Sequence, residues 1–514
     1  MGGGMCERGR AHGTREVLGR GVGNLEQDAG DGKTWRLRMA EGLVVPGKPG
    51  NAGGGKGPWF RTNAGSGEGR RLGNLSTPVG VQKLQVALHA KAKAEPGYRF
   101  YSLYDKLYRP DVLAHAYDRC RANKGAPGVD GQTFDDIERY GRERWLGELA
   151  LALRKETYEP EAIKRVFIPK ANGKLRPLGL STLRDRVCMM AAVLVLDPIF
   201  EADLAPEQYA YRAGCSAHDA LSAVKTGLCS GYPEVVDADL SAYFDTIPHR
   251  ELMLCVARRV VDRRVLRLVK GWLECAVVEI DRRGRKTQST VSRDQGRGIP
   301  QGAPVSPLLA NLYMRRFILG WHRWPVSRRL GARIVNYADD LVILCRSGTS
   351  DAALAAMRAL MERLKLTVNE EKTRTCHARQ AHFDFLGYTF GRYYSHRTGG
   401  AYLGLRPSKK SIRRLTERVR QLTDPRFGWQ ETTAVVQDLN RTLVGWANYF
   451  SIGTTSSAYR AVEAYYVMRF RRWLLKKHKS RRNGMLAYSY EYLFETLGLV
   501  RLSGRRSHLP WAKA

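Results

Sequence analysis

The chain has 514 residues, 43 % of them hydrophobic and 26 % charged, a balance that fits about two to four globular domains, each with its own core. Lys and Arg number 85 against 50 Asp and Glu, a net charge of +35 with a pI near 10.1, and an excess of that size points to a polyanionic partner, nucleic acid before an anionic membrane surface. The nine cysteines are irregularly spaced and include no C-x-x-C pair, which argues against a zinc ribbon or finger and suits a reducing cytoplasm.

In chain order, residues 1–75 hold 21 of the 52 glycines and few large apolar groups, so a disordered tail is expected there. Within it Gly50, Gly55 and Lys56 have the spacing of a phosphate-binding loop. However, Gly57 stands where a metal-holding Ser or Thr belongs, and no apolar strand precedes the stretch. Met1 is followed by glycines and charges, with no apolar signal segment. Apolar periodicity predicts helices over 79–93 and 100–122, then a turn cluster from Asn123 to Gly128. Arg165–Ile168 reads as a short strand that Asn172-Gly173 turns back into Leu175, and 182–200 reads as a helix. That helix contains the longest uninterrupted apolar run, Met189–Leu196. The run is far below the ~20 residues a membrane helix needs, and no membrane partner is expected. Strand and helix signals alternate up to residue 390 or so. Beyond Pro407 the pattern is helical, in segments near 408–422, 430–450 and 456–478.

Two stretches place acids among apolar residues. Pro233–Leu240 reads as a strand, with Val236, Ala238 and Leu240 on one face and Asp237 and Asp239 on the other. Strand-end acids that are solvated or paired with Arg are one reading; acids that need a cation are the other. Arg333–Leu344 reads as two apolar strands around a polar turn, a hairpin with Asp339 and Asp340 at its tip. Apolar flanks imply a buried hairpin and a rigidly held tip. Clustered carboxylates repel each other unless divalent cations neutralise them, and hard oxygen ligands suit Mg²⁺.

These residues resemble a known family. Tyr337-Ala338-Asp339-Asp340 resembles the polymerase signature of reverse transcriptases, and Asp239 with Phe244 five residues on resembles their first catalytic motif. The resemblance implies an α+β fold: a right-hand polymerase, fingers and palm with antiparallel sheet, followed by an all-helical thumb/maturase domain. It also implies Asp239, Asp339 and Asp340 as the catalytic residues and as ligands of two Mg²⁺ ions, with Asp237 structural. Gly298–Pro307 precedes a helix bearing Leu308, Leu309, Leu312 and Phe317. It is similar to the PQG motif of the family, in which Gln301 and Gly302 would help hold the template base and the incoming dNTP. In the basic hairpin Ile168–Leu178, Lys170 and Arg176 match positions that fold over the triphosphate, where Arg grips phosphate oxygens and Lys adds a point charge. Phe244 reads as a core aromatic beside a strand end or, as the resemblance implies, as a gate against the ribose 2′-hydroxyl. Leu366–Thr373 resembles a motif whose Lys lies near the leaving pyrophosphate; Lys372 fits that role or that of a surface Lys. Phe385-Leu386-Gly387-Tyr388 resembles a hairpin that grips the primer end, and an ordinary apolar hairpin fits it almost as well.

From Arg406 to Arg482 there are 18 Lys and Arg against five acids, a local excess of 13, interleaved with aromatic residues. Leu439–Phe450 and Arg471–Lys479 are similar to the maturase domain of group II intron proteins, and Ala122–Gly131 to the block that precedes their fingers. The resemblance assigns RNA binding to Arg441, Trp446, Arg471, Arg472, Trp473, Lys477 and Lys479. It divides the chain into a Gly-rich tail (1–75), an N-terminal block and fingers (76–235), a palm (236–390), a helical thumb/maturase domain (391–482) and a short C-terminal tail (483–514). Many relatives add an endonuclease with paired cysteines and histidines. After Arg482 no Cys remains, so that metal site is not expected, and mobility would draw on a primer already present, such as a nascent DNA strand.

The resemblance implies a bacterial, cytoplasmic ribonucleoprotein: an RNA-directed DNA polymerase that binds its own group II intron RNA, assists splicing and copies the intron into DNA at a DNA target. A maturase with a silent polymerase would be expected to have lost Asp239, Asp339, Asp340 or Gln301. Retron and defence enzymes usually lack the blocks around Trp446 and Trp473. A plain nucleic-acid binder leaves the carboxylate hairpin unexplained.

Overall fold

The structure, a computed structural model, describes residues 71–72, 75–169, 175–281, 283–395, 398–480 and 487–504. The expectations for residues 1–70, with the Gly50–Lys56 loop, for Lys170 and for the Asn172-Gly173 turn lie outside the described residues. Helix α1 (Val79–Ala94) falls where its periodicity places it. The helix expected over 100–122 is divided into a single turn, Tyr104–Leu107, and α2 (Pro110–Ala122). Pro110 holds Arg109 in the extended region (φ −60°, ψ 135°) and opens the second helix at its first position.

Helix α3 (Leu183–Glu201) starts at Thr182, whose side chain accepts from the Asp185 amide, and it is buried nearly all round. The Met189–Leu196 run is thus a core helix. Pro198 lies inside it and has no N–H to offer the Leu194 carbonyl. That carbonyl instead accepts from Nε2 of buried Gln85 on α1 at 2.9 Å, and His89 Nδ1 lies 3.0 Å from the Pro198 carbonyl. The defect in one helix becomes the docking point of another.

Beyond a short pair of two-residue strands, Arg71–Leu72 with Leu75–Ser76, the strands in chain order are β1 (Ile163–Pro169), β2 (Leu175–Leu180), β3 (Glu234–Asp239), β4 (Val277–Ile280), β5 (Lys286–Ser289), β6 (Arg333–Tyr337), β7 (Asp340–Cys345), β8 (Arg374–His377), β9 (Phe383–Phe385), β10 (Tyr388–Tyr394) and β11 (Ala401–Pro407). One sheet has the order β8-β3-β7-β6 and is antiparallel throughout. Side chains alternate between its faces, and both faces are covered. Val236, Ala238, Leu341 and Ile343 join the core that holds α1–α3 and α5 (Ser306–Arg323), while Val235, Val342 and Leu344 join the core that holds α4 (Ala217–Cys229) and the C-terminal helices. A second sheet, β2-β1-β4-β5, is mixed: β1 and β4 run parallel, against the expectation of an antiparallel sheet there. The long segment between them supplies the crossover that parallel pairing needs.

The third sheet, β9-β10-β11, corrects the all-helical reading of 391–482, because β11 pairs along β10 from Ala401 to Pro407. Helices begin only at α6 (Lys409–Leu422), followed by α7 (Thr432–Tyr449) and α8 (Ser456–Lys477). At the end of α7, Tyr449 ties three elements together. Its hydroxyl donates to the Leu386 carbonyl at 2.7 Å, and its own carbonyl accepts from Tyr388 Oη at 2.7 Å and meets His218 Nε2 of α4 at 2.6 Å. Residues 487–504 are no free tail. Leu493, Leu499 and Leu502 are buried in the core of α7 and α8, and the Val500 and Leu502 amides donate to Asn440 and Glu463, each at 2.8 Å.

Candidate active site

In the β6–β7 hairpin Tyr337 pairs with Asp340, which leaves Ala338 and Asp339 as a two-residue turn. Such turns need left-handed backbone, and Ala338 takes it (φ +57°) without being glycine. Fully buried Asn336 fixes the turn from inside: its Nδ2 donates to the Ala338 carbonyl at 3.0 Å and to the Asp340 carbonyl at 3.2 Å. β3 runs antiparallel to β7 in the register that sets Asp239 opposite Asp340. Two acidic segments a hundred residues apart therefore meet at one end of one sheet, with all three carboxylates at least partly exposed.

The chain beyond β3 leaves through Ala242, again left-handed (φ +46°), and a loop of 367–373 closes over it. The Ser241 amide donates to Thr367, and the Asn369 amide donates to Asp239, both at 2.9 Å. This brings Lys372 Nζ to 2.8 Å and Asn369 Nδ2 to 3.0 Å from Asp239 Oδ2. Lys372 therefore touches the first of the three acids with its side chain still largely exposed. Its ammonium supplies the positive charge that an acid in this place requires. Asp237 is separate: it pairs across the sheet with Arg374 at 3.3 Å, and burial pushes its carboxyl up to about 6 against the pull of that guanidinium. Among the described residues, no three His, Cys, Asp or Glu side chains stand gathered as a metal-binding group. The acids share the site through backbone register, with hard oxygen donors and a cation already drawn to one of them.

Phe244 is partly buried, edge-on to Tyr243 at 5.7 Å between ring centres, and its carbonyl accepts from the Ile299 amide at 2.7 Å. This bond seats the loop that carries Gln301. Gln301 Nε2 donates to Asp245 Oδ2 at 2.9 Å, and its Oε1 accepts from Arg176 Nε at 3.4 Å. Its backbone carbonyl accepts from Gly179 of β2 at 2.8 Å. Gly302 has φ +107°, and a Cβ there would lie 2.8 Å from the Gly179 carbonyl oxygen. Partial burial raises the Asp245 carboxyl, while the Gln301 hydrogen bond and the charges of Arg165 and Arg176 oppose the shift. Phe244, Gln301, Gly302 and Arg176 are thus brought together.

Sequence reasoning overlooked Asp245, Asn336, Asn369 and Tyr211. Tyr211 has left-handed backbone (φ +57°), and its phenol is pushed up to about 12, first by burial and then by the negative charge of Asp339. The turn-like Ala210–Gly214 stretch was its only signal.

The RNA-binding set separates into an outer and an inner part. Arg441, Arg472 and Lys479 are exposed, Arg441 beside Asp438 at 3.2 Å. Trp446 and Trp473 are 8 % and 1 % exposed. Arg471 is buried with its Nε on the Tyr488 carbonyl at 2.8 Å, and Lys477 Nζ turns back onto the carbonyls of Gly428 (3.1 Å) and Gln430 (2.7 Å). The expectation that Trp446, Arg471 and Trp473 touch RNA is corrected: Trp446 lies on the buried face of α7, and Arg471 and Trp473 lie on the buried face of α8.

Comparison with known proteins agrees with this layout. Residues 168–390 match the family described as Reverse transcriptase (RNA-dependent DNA polymerase), and residues 412–489 match the Group II intron, maturase-specific domain. Protein YkfC of Escherichia coli (strain K12) is 31 % identical over 348 residues, 60 % of this chain and 87 % of that protein. The Group II intron-encoded protein LtrA of Lactococcus lactis subsp. cremoris is 31 % identical over 224 residues, 43 % of this chain and 35 % of that longer protein. Among solved structures, a chain of the Partial Cas6-RT-Cas1--Cas2 complex is 24 % identical at a TM-score of 0.32, over 51 % of this chain and 41 % of that one, too loose a superposition to argue from.

Proposed function

The chain belongs to the group II intron reverse transcriptase/maturase family, and from that premise we propose that it copies its own intron RNA into DNA at the Asp239–Asp339–Asp340 site while its C-terminal helices hold that RNA and assist splicing. The family uses divalent metal ions, and here the reading is two Mg²⁺ ions on these three carboxylates. The observation that carries it is the register of β3 on β7, which sets Asp239 opposite Asp340 on a hairpin held by Asn336. Two such ions lower the pKa of a primer 3′-hydroxyl and stabilise the leaving pyrophosphate.

The chain's own residues do the rest. Arg176 grips the triphosphate oxygens of the dNTP, joined by Lys170 of the same hairpin. Phe244 closes the space beside the ribose and excludes a 2′-hydroxyl. Gln301 and Gly302 support the template base and the nucleotide from the loop seated on β2. Lys372, next to Asp239, stands ready to donate a proton to pyrophosphate. Residues 76–235 serve as N-terminal block and fingers, 236–390 as palm and 391–482 as thumb/maturase, with Arg441, Arg472 and Lys479 on RNA phosphates. The DNA target provides the primer, and the protein works as a cytoplasmic ribonucleoprotein; among the described residues no helix is long and apolar enough to cross a membrane.

The test is dNTP incorporation on a primed RNA template with Mg²⁺, wild type against Asp339→Ala. Wild-type incorporation that the substitution abolishes, with RNA affinity unchanged, is the expected result. Full activity in Asp339→Ala would sink the site assignment. Tight RNA binding with no incorporation by either protein would leave a splicing cofactor on a silent polymerase fold.

A further inference from the structure

With Trp446 and Trp473 inside the core, the C-terminal helices need another aromatic surface if they are to hold single-stranded RNA by its bases. The turn between α6 and α7 provides one. Trp429 is 74 % exposed, the most exposed of the large hydrophobic side chains among the described residues. We propose that Trp429 is a stacking platform for an unpaired base of bound RNA, an inference that rests on the RNA-binding part of the proposed function.

Three observations support it. First, the turn beneath the ring is rigid. Asp424 caps the short turn Pro425–Phe427, and the Phe427, Gly428 and Gln430 amides donate within the loop at 3.0, 3.2 and 3.0 Å. Lys477 Nζ clamps the carbonyls on either side of Trp429, those of Gly428 and Gln430, and Arg469 donates to the Thr423 carbonyl at 3.3 Å. A ring held out on a fixed backbone loses little freedom when a base stacks on it. Second, no element among the described residues covers the ring, although an indole of this size is normally at least half-buried. Third, its surroundings carry the sign of charge that draws a phosphate backbone. The stretch Arg406–Arg482 has an excess of 13 positive charges, and Arg426, three residues before Trp429, is exposed in an ion pair with Asp424 at 2.8 Å. A protein partner would call for a broad apolar patch around the indole, whereas its chain neighbours mix Pro425 and Phe427 with the polar Arg426, Gln430 and Glu431. Stacking on a π face is indifferent to base identity, so the ligand class is unpaired RNA of any sequence.

The test uses the full chain and two single-stranded RNA probes of equal length, an oligo(A) and an oligomer of the same ribose-phosphate backbone with abasic residues. Wild type should prefer oligo(A). Trp429→Ala should lose about tenfold in affinity for oligo(A), none for the abasic probe, and keep the wild-type salt slope, since no ion pair is removed. Trp429→Phe should recover most of the loss, and thermal melting should be the same for all three proteins. Equal losses on both probes, a flatter salt slope, or a fall in melting temperature would mean that Trp429 acts through charge or fold, and the inference would be overturned. Unchanged affinity for oligo(A) would also overturn it and leave the ring free for a protein partner. Failure of the polymerase assay would not affect this result, because neither probe is primed.

Discussion

The amide of Gln301 is chemically two-faced, and its neighbours decide which way it points. Asp245 accepts from Nε2 and Arg176 donates to Oε1, so a carboxylate beyond β3 and a guanidinium on β2 lock one orientation. Asp245 thereby positions Gln301 without needing to touch substrate. Asp245→Ala and Gln301→Ala should each raise the KM for dNTP several-fold, and the double variant should be no worse than the poorer single one. Steady-state kinetics on a primed template reads this directly; additive losses would show that the pair does not act as a unit. Asp245→Asn, which keeps an acceptor, should remain near wild type. At this scale the charged, motif-bearing residues were legible because acids at a strand end and a hairpin tip stand out against apolar flanks. Asp245 and Gln85 were not, because what makes them matter is an amide or a carbonyl tens of residues away; Asn336 was not, because its partners are backbone carbonyls of its own turn, met only once the hairpin has closed. Trp446, Arg471 and Trp473 were misplaced for a related reason: composition shows that a helix is basic and aromatic but not which of those side chains face inward.

Long helices were found within a residue or two, among them α1, α3 and the three C-terminal helices. The helix expected over 100–122 failed at Pro110, where a local backbone rule overrode the apolar pattern. The strand β11 escaped because its stability comes from β10, a pairing that its own Gly-flanked sequence does not announce. The loop of Gln301 depends on a different kind of fit, the approach of Gly302 to the β2 backbone. Gly302→Ala should force that loop off β2, since the new methyl group meets the Gly179 carbonyl and the backbone angle is one that L residues seldom adopt. The expected cost is about 1–3 kcal/mol of stability, with a larger fall in dNTP incorporation than in RNA affinity. Denaturant melting together with both assays checks it; an unchanged polymerisation rate would refute the proposed seat.

Across the whole molecule, buried charge sets a pH limit. Burial pushes the Asp197 carboxyl on α3 up to about 7, Glu201 adds repulsion, and Arg119 and Arg212 oppose both. The folded chain therefore favours the protonated acid, and this stabilisation fades as pH rises from about 4, where an unfolded Asp titrates, to about 7. Asp197→Asn, which stays neutral, should melt above wild type at pH 8, with the gap closing toward pH 4. An equal gap at both pH values would assign the effect to packing. A mechanical property follows from Tyr449. Because this one residue joins the end of α7 to the Leu386 turn and to α4, the helices proposed to grip the nucleic acid and the turn that resembles a primer grip are fastened to each other at one point. If those helices grip a strand as proposed, tension on it would pass through Tyr449 to the Leu386 turn, and an advance by one nucleotide would thread the duplex past a shared contact.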